Sequence, residues 1–341
     1  MINQVYRLVS PRQFEIVNME KDLNSNQVVV KPTHMAICHA DQRYFNGNRD
    51  KKTLRQKLPM ALIHEAIGTV VYDKTGEFPV GTNVVLIPNT PSAVDEIVAE
   101  NYLATSRFRS SGYDGFMQDY VFMNRDRIVV IPENIDPKIA AFSELTSVAM
   151  HAIIRFQKHA HARQLKIGVW GDGNLGYLTT LLLKRMYPET KVYLFGKNQS
   201  KLDYFSFVDD VFQIDDIPEN FAIDHAFECV GGRGSKHAIN QIIDYINPEG
   251  TISLLGVSED PVEINTRMIL EKGLVLYGSS RSGRIDFEET MKVVSQDPEI
   301  QNYMSNLTGT TFEVKTLEDV VSAFESDMTS SWGKTIMHWK I

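Results

Sequence analysis

Short runs in which apolar and polar positions alternate dominate the first 140 residues. Gln27 to Lys31, Gly68 to Tyr72 and Asn83 to Ile87 are rich in β-branched residues and bounded by turn formers, so they predict strands. From Pro137 to about Gly283 the pattern changes. Continuous apolar strands (Lys166 to Trp170, Lys191 to Phe195, Asp224 to Val230, Thr251 to Leu255) alternate with helical stretches that end near Met186 and Ile246. Apolar strands separated by helices predict βαβ units, a parallel sheet covered by helices on both faces. The remaining residues return to mixed helix and strand and close on the strand-like Lys334 to Ile341. The expected class is α/β: a β-rich domain and a doubly wound parallel-sheet domain, with no internal repeat or low-complexity linker.

The parallel region begins with a glycine fingerprint. Gly171-Asp172-Gly173-Asn174-Leu175-Gly176 follows the apolar strand Ile167-Gly168-Val169-Trp170, opens a helix, and is followed by another strand about 20 residues later. In that setting the first glycine permits a tight turn, the second lets backbone approach a pyrophosphate, and the third allows close helix packing. Anionic phosphates then sit at the helix amino terminus. Gly171, Gly173, Asn174, Leu175 and Gly176 are therefore candidate dinucleotide contacts. NAD-binding versions carry an acid at the end of the second strand for the adenosine ribose hydroxyls. Here that place reads Phe195-Gly196-Lys197-Asn198. With Gly196 leaving room, and Lys197 and Lys201 supplying positive charge, the expected cofactor is NADPH.

Composition adds boundaries rather than chemistry. At 43% hydrophobic and 23% charged, the chain reads as an ordinary globular protein of about two domains, with no apolar run long enough to cross a bilayer. Met1 to Asn18 lacks a basic segment followed by an apolar one, so a cytoplasmic location is expected. The two cysteines, Cys38 and Cys229, exclude a disulfide scaffold and leave thiols available for metal ligation. A net charge of −8 argues against general nucleic-acid binding and for a small partner.

Cys38 and the pair His64-Glu65 supply a thiolate, an imidazole and a carboxylate, the donor types of a catalytic zinc with three protein ligands and one open position. Taken alone, Cys38 reads first as a small buried residue. The context changes that. Cys38-His39-Ala40-Asp41, His64-Glu65-Ala66-Ile67-Gly68, Gly115-Phe116-Met117-Gln118-Asp119-Tyr120 and Ala140-Ala141-Phe142-Ser143-Glu144-Leu145-Thr146-Ser147-Val148-Ala149, together with the glycine fingerprint, resemble the zinc-dependent medium-chain dehydrogenase/reductase superfamily, in particular its sorbitol or polyol dehydrogenase-like branch. More narrowly the chain is similar to the bacterial ribulose-5-phosphate reductases of teichoic acid and capsule synthesis.

The resemblance implies a GroES-like catalytic domain from residues 1–140 and 285–341 and a Rossmann cofactor domain from 141–284. It implies one catalytic zinc held by Cys38 and His64, with Glu65 and Glu144 completing or exchanging in the ligand set. It also implies NADPH reduction of the ketone of ribulose 5-phosphate to ribitol 5-phosphate for CDP-ribitol and wall teichoic acid. A homodimer through the edge strand Leu274 to Gly278 follows from it, as does association with a cytidylyltransferase of the same pathway.

Three departures from the family pattern are expected to matter. Ile63 stands where a glycine usually precedes the His-Glu pair, which reads as a tolerated packing change. Residues 89 to 112 contain none of the four cysteines of a structural zinc. Ala40 replaces the usual proton-relaying hydroxyl, leaving Glu65, Glu144, His39 or a zinc-bound water to move the proton.

For the substrate phosphate, Arg43, Arg49 and Lys52 lie in and beside the basic stretch after the Cys38 loop, with Arg281 and Arg284 as rivals. His159 and His161 read as turn residues rather than a metal pair. Other readings are a sorbitol- or xylitol-type dehydrogenase, a zinc-free NADPH quinone reductase and a non-catalytic binding protein. The full set Cys38, His64, Glu65 and Glu144 argues against the last two.

Overall fold

The structure, a computed structural model, describes residues 1–23 and 27–341. The chain divides into two compact units, Met1–Ser147 with Ser282–Ile341, and Val148–Arg281. These borders differ from the expected 140/141 and 284/285. Ser282 Oγ is 2.7 Å from Ser147 Oγ, and the Arg284 amide donates to Glu100 Oε1 at 2.7 Å, which ties both residues into the first unit.

The main sheet of the first unit has the order Ile128–Val130, Asn83–Leu86, Glu65–Asp73, Gln27–Ala36, Lys334–Trp339, Thr308–Val314, with Val121–Asn124 also pairing to Gln27–Ala36. Pairing is antiparallel except between the last two strands in that order. Val5, Leu8, Phe45, Leu86, Phe116, Phe324 and Trp339 belong to the buried core beneath it. The central strand sets the site. Ala36 lies opposite Glu65 on one side and Ile336 on the other, and the Ile37 amide donates to Thr335 O at 3.0 Å. Consequently the start of the strand Glu65–Asp73 and the start of Lys334–Trp339 both meet the chain where it leaves Gln27–Ala36 for Cys38.

The lobe of residues 89–112 is closed without thiols. Asn89–Thr90 pairs with Arg107–Phe108, and the Glu100 carboxylate accepts both ends of the Arg127 guanidinium at 2.9 and 3.1 Å. Arg127 is only 3% exposed, so this two-pronged pairing satisfies a charge that would be costly to bury alone.

The second unit carries a six-stranded parallel sheet in the order Asp210–Gln213, Lys191–Gly196, Lys166–Trp170, Ile223–Glu228, Ile246–Leu254, Val275–Gly278. Its inner strands are those expected from their unbroken apolar runs. Asp210–Gln213 was not expected, because a short edge strand with exposed ends has no such run. Trp170 stacks on Phe195 with ring centroids 3.8 Å apart. The helix Asn174–Met186 buries Tyr177, Leu178, Leu181 and Leu182, one continuous helical face.

One polar group is built into this core. His225 is fully buried, with Nε2 3.0 Å from the Arg163 carbonyl and Nδ1 2.9 Å from Thr251 Oγ1. Nε2 must therefore carry the proton and donate it, while Nδ1 accepts. Burial, with the neighbouring His161 ring adding to it, lowers the His225 pKa to about 4.

Candidate active site: a thiolate, imidazole and carboxylate cluster

Ligand atoms of Cys38, His64 and Glu65 all lie within 4.8 Å of one another, the one such group among the described residues. Glu65 is fully buried and His64 is 6% exposed. Each side chain owes its place to the backbone pairing above: Cys38 precedes the short helix His39–Phe45, and His64-Glu65 opens the strand Glu65–Asp73.

Two supporting residues hold the cluster. Asp41 is buried, and its Oδ1 accepts from Ser110 Oγ at 2.6 Å and from the Ile63 amide at 3.1 Å. Its Oδ2 accepts from the Cys38 amide at 3.3 Å and lies 3.3 Å from His64 Nδ1. With Nδ1 turned to Asp41, Nε2 is left as the candidate ligand nitrogen, an arrangement that suits a metal-binding imidazole. On the other side Lys334, 3% exposed, donates from Nζ to Glu65 Oε1 at 2.7 Å. The second oxygen, Glu65 Oε2, is buried with no hydrogen-bond partner. An orphaned carboxylate oxygen beside a thiol and an oriented imidazole fits zinc by donor type and by unmet demand.

Charge in the cluster is internally balanced. Burial works against protonating His64, yet Asp41 and then Cys38 outweigh it and hold the imidazole pKa well above its ordinary range. Burial pushes the Cys38 thiol up, with His64 pulling the other way. Burial likewise opposes the charge on Lys334, but Glu65 and Cys38 raise its pKa. A divalent cation held by Cys38, His64 and Glu65 would take the place of the proton shared among them, coupling its uptake to proton release.

Glu144 lies outside the 4.8 Å group but within electrostatic reach of it. Burial raises its carboxyl pKa and the Glu65 carboxylate adds to this, with His64 opposing. His39 is exposed at the first position of its helix and is not part of the cluster. Arg43 and Arg49 come together: burial and the Arg49 charge lower the Arg43 pKa, and the Arg49 guanidinium covers the Tyr44 ring at 5.0 Å. Lys52 instead sits exposed on the helix Lys51–Lys57. His159 contacts the Tyr277 ring and His161 the His225 ring, and neither belongs to a metal-ligating group.

Ile63 corrects the sequence reading. Its φ is +69, so the position calls for a left-handed backbone, which is why glycine is usual there. The departure is a backbone strain of about 1–3 kcal/mol rather than a packing change. Its buried side chain and the hydrogen bond its amide donates to Asp41 hold it in place.

In the second unit, the glycine loop forms as its sequence requires. A Cβ on Gly176 would lie 1.9 Å from the Gly171 carbonyl, whereas one on Gly173 would meet nothing within 4 Å. Gly173 also caps the helix Asn174–Met186 with no side chain, so open space faces the amino terminus of the helix. That cradle fits a pyrophosphate. Gly196 has a different reason from the one expected. Its Cβ would fall 2.6 Å from Leu202 Cδ2 and 2.8 Å from Asp172 Cβ, so the position is filled rather than left roomy. Lys197 is exposed and Lys201 half-buried beside it.

Asp41, Ser110 and Lys334 were not singled out from sequence. Asp41 did carry a signal, an acid three residues after a helix-capping position. Lys334 carried only the oddity of a lysine beginning an apolar final strand.

Comparison with known proteins agrees with this geometry. Residues 24–133 match the alcohol dehydrogenase GroES-like domain and residues 199–296 the zinc-binding dehydrogenase domain. The chain belongs to the zinc-binding alcohol dehydrogenases of the medium-chain dehydrogenase/reductase superfamily. Within that class it is 59% identical, over the full length of both chains, to ribulose-5-phosphate reductase of Bacillus spizizenii. It is 57% identical to ribulose-5-phosphate reductase 1 of Staphylococcus aureus over 99% of each chain. A solved structure of S. aureus TarJ in complex with NADPH superposes with a TM-score of 0.90 at 52% identity, covering both chains completely.

Proposed function

We propose that this chain is a zinc-dependent NADPH reductase that converts the ketone of D-ribulose 5-phosphate to the secondary alcohol of D-ribitol 5-phosphate, feeding CDP-ribitol and wall teichoic acid synthesis. The observation that carries this reading is the Cys38, His64 and Glu65 donor set in a chain 59% identical, end to end, to a ribulose-5-phosphate reductase. When bound, zinc supplies Lewis-acid polarisation of the ketone and NADPH supplies the hydride. Cys38, His64 and Glu65 hold the metal, Asp41 fixes the imidazole, and Glu144 exchanges with a ligand position. Lys334 keeps one Glu65 oxygen engaged and so leaves the other to the metal.

Gly171, Gly173, Asn174, Leu175 and Gly176 bind the nucleotide pyrophosphate, and Gly196, Lys197 and Lys201 lie at its adenosine end. Ala40 leaves the proton to His39, Glu65 or Glu144. The paired Arg43 and Arg49 take the substrate phosphate, their mutual repulsion favouring an anion between them, and Lys52 is the outlying third cation. No helix among the described residues is long and apolar enough to cross a membrane. We place the protein in the cytoplasm, as a homodimer joined along the edge strand Val275–Gly278 and associated with a cytidylyltransferase. The exposure of Val275 on that strand (41%) supports the dimer.

The test is NADPH oxidation by the zinc-loaded protein with ribulose 5-phosphate, xylulose 5-phosphate, and unphosphorylated ribulose and fructose. Turnover with ribulose 5-phosphate well above the others is expected, and Arg43→Glu should raise its KM without affecting unphosphorylated ribulose. No oxidation with any ketose phosphate overturns the substrate assignment.

A further inference from the structure

The second residue of the glycine loop does something the fingerprint does not require. Asp172 Oδ2 accepts from the Lys197 amide at 2.8 Å, from the Asn198 amide at 2.7 Å and from Asn198 Nδ2 at 3.1 Å. Two successive backbone N–H groups converging on one oxygen make an anion seat. That seat lies just past the second strand of the fold, the end from which dinucleotide-binding sheets read the adenosine ribose. A carboxylate therefore does stand at the ribose end, arriving from the glycine loop rather than from position 196. The 2.8 Å separation of a notional Gly196 Cβ from Asp172 Cβ explains why the strand ends in glycine.

We propose that Asp172 is a cofactor-specificity residue: it occupies the amide seat at the adenosine end and opposes the 2′-phosphate of NADPH, against the attraction of Lys197 and Lys201. This rests on the dinucleotide reading above and refines it. The balance of one carboxylate against two lysines gives a smaller preference for NADPH over NADH than the lysines and the free seat would give together. Asp172→Asn tests this without dismantling the loop, because the amide oxygen can still accept from both backbone amides while the charge is gone.

The measurement is the dissociation constant of NADPH and of NADH for the zinc-loaded protein by nucleotide fluorescence, paired with KM for each. In Asp172→Asn, NADPH binding should tighten about tenfold, about 1.4 kcal/mol, with NADH within twofold of wild type. In the Lys197→Ala, Lys201→Ala double variant, NADPH should weaken while NADH holds. If Asp172→Asn weakens both nucleotides equally, the residue only braces the loop. If it weakens NADH alone, the residue reads ribose hydroxyls. Either result overturns the proposal, as does no change. Should Asp172→Asn fail to fold, Asp172→Ser removes the same charge. A wild-type protein that binds neither nucleotide would instead overturn the dinucleotide reading itself and this inference with it.

Discussion

The glycine loop and the Cys38, His64 and Glu65 cluster are built by opposite means. In the parallel-sheet unit, binding geometry is made by consecutive backbone groups where strand turns into helix, Gly171 to Gly176, so six neighbouring residues carry nearly all of it. In the β-rich unit it is made by side chains from Cys38, Asp41, His64, Glu65, Ser110 and Lys334, brought together by the register of three strands. A backbone site keeps its fold when a side chain is added in open space and loses stability where space is closed. A side-chain site fails at any member, and the more severely the nearer that member lies to the ligand atoms.

The strongest way to break this comparison is Cys38→Ser. Loss of a thiolate ligand should remove several kcal/mol of transition-state stabilisation, about a 10³-fold fall in turnover or more, with bound zinc measured by elemental analysis falling in parallel. A folded, zinc-replete, active Cys38→Ser protein would remove the cluster from the chemistry. Asp41→Asn comes next. It keeps the shape but not the charge that orients His64, and should weaken zinc binding about 10- to 100-fold in chelator competition.

The glycines sharpen the other side of the comparison. Gly173→Ala should leave thermal stability unchanged yet weaken NADPH binding about tenfold, because its Cβ enters space open to the ligand alone. Gly176→Ala should lose about 1–3 kcal/mol of stability in denaturant titration, because its Cβ meets the Gly171 carbonyl. If both behaved alike, the loop would not be a backbone device.

The effect confined to acid conditions is a pH dependence of stability. The folded pKa of His225, about 4, lies below its ordinary 6.5. The unfolded chain therefore binds the proton first, and the stability contributed by neutral His225 is whole above pH 6.5 and lost as pH falls toward 4. Denaturation midpoints at pH 7, 5.5 and 4.5 should decline in that order, and more gently in His225→Gln.

Legibility in the sequence followed the same divide. The parallel strands and the fingerprint were readable because each is a local pattern, an apolar run or a glycine spacing within six residues. Cys38 and His64-Glu65 were readable as residue types. Their supports were not: Ser110 reaches Asp41 across 69 positions and Lys334 reaches Glu65 across 269, separations only strand register can close. Ile63 and Gly196 misled for a related reason. Each was read as a side chain or its lack, while backbone torsion decides one and a neighbour from another turn decides the other.

The Glu100 to Arg127 clasp in the thiol-free lobe has a consequence for how this protein can be handled. Because that lobe is tied by a carboxylate and a guanidinium, a chelator has no purchase on it. Stripping the metal should leave the apoprotein folded and ready for reconstitution. The Cys38, His64 and Glu65 position can then be refilled with cobalt, whose visible absorption bands would report thiolate ligation and coordination number directly, without a second metal contributing to the spectrum.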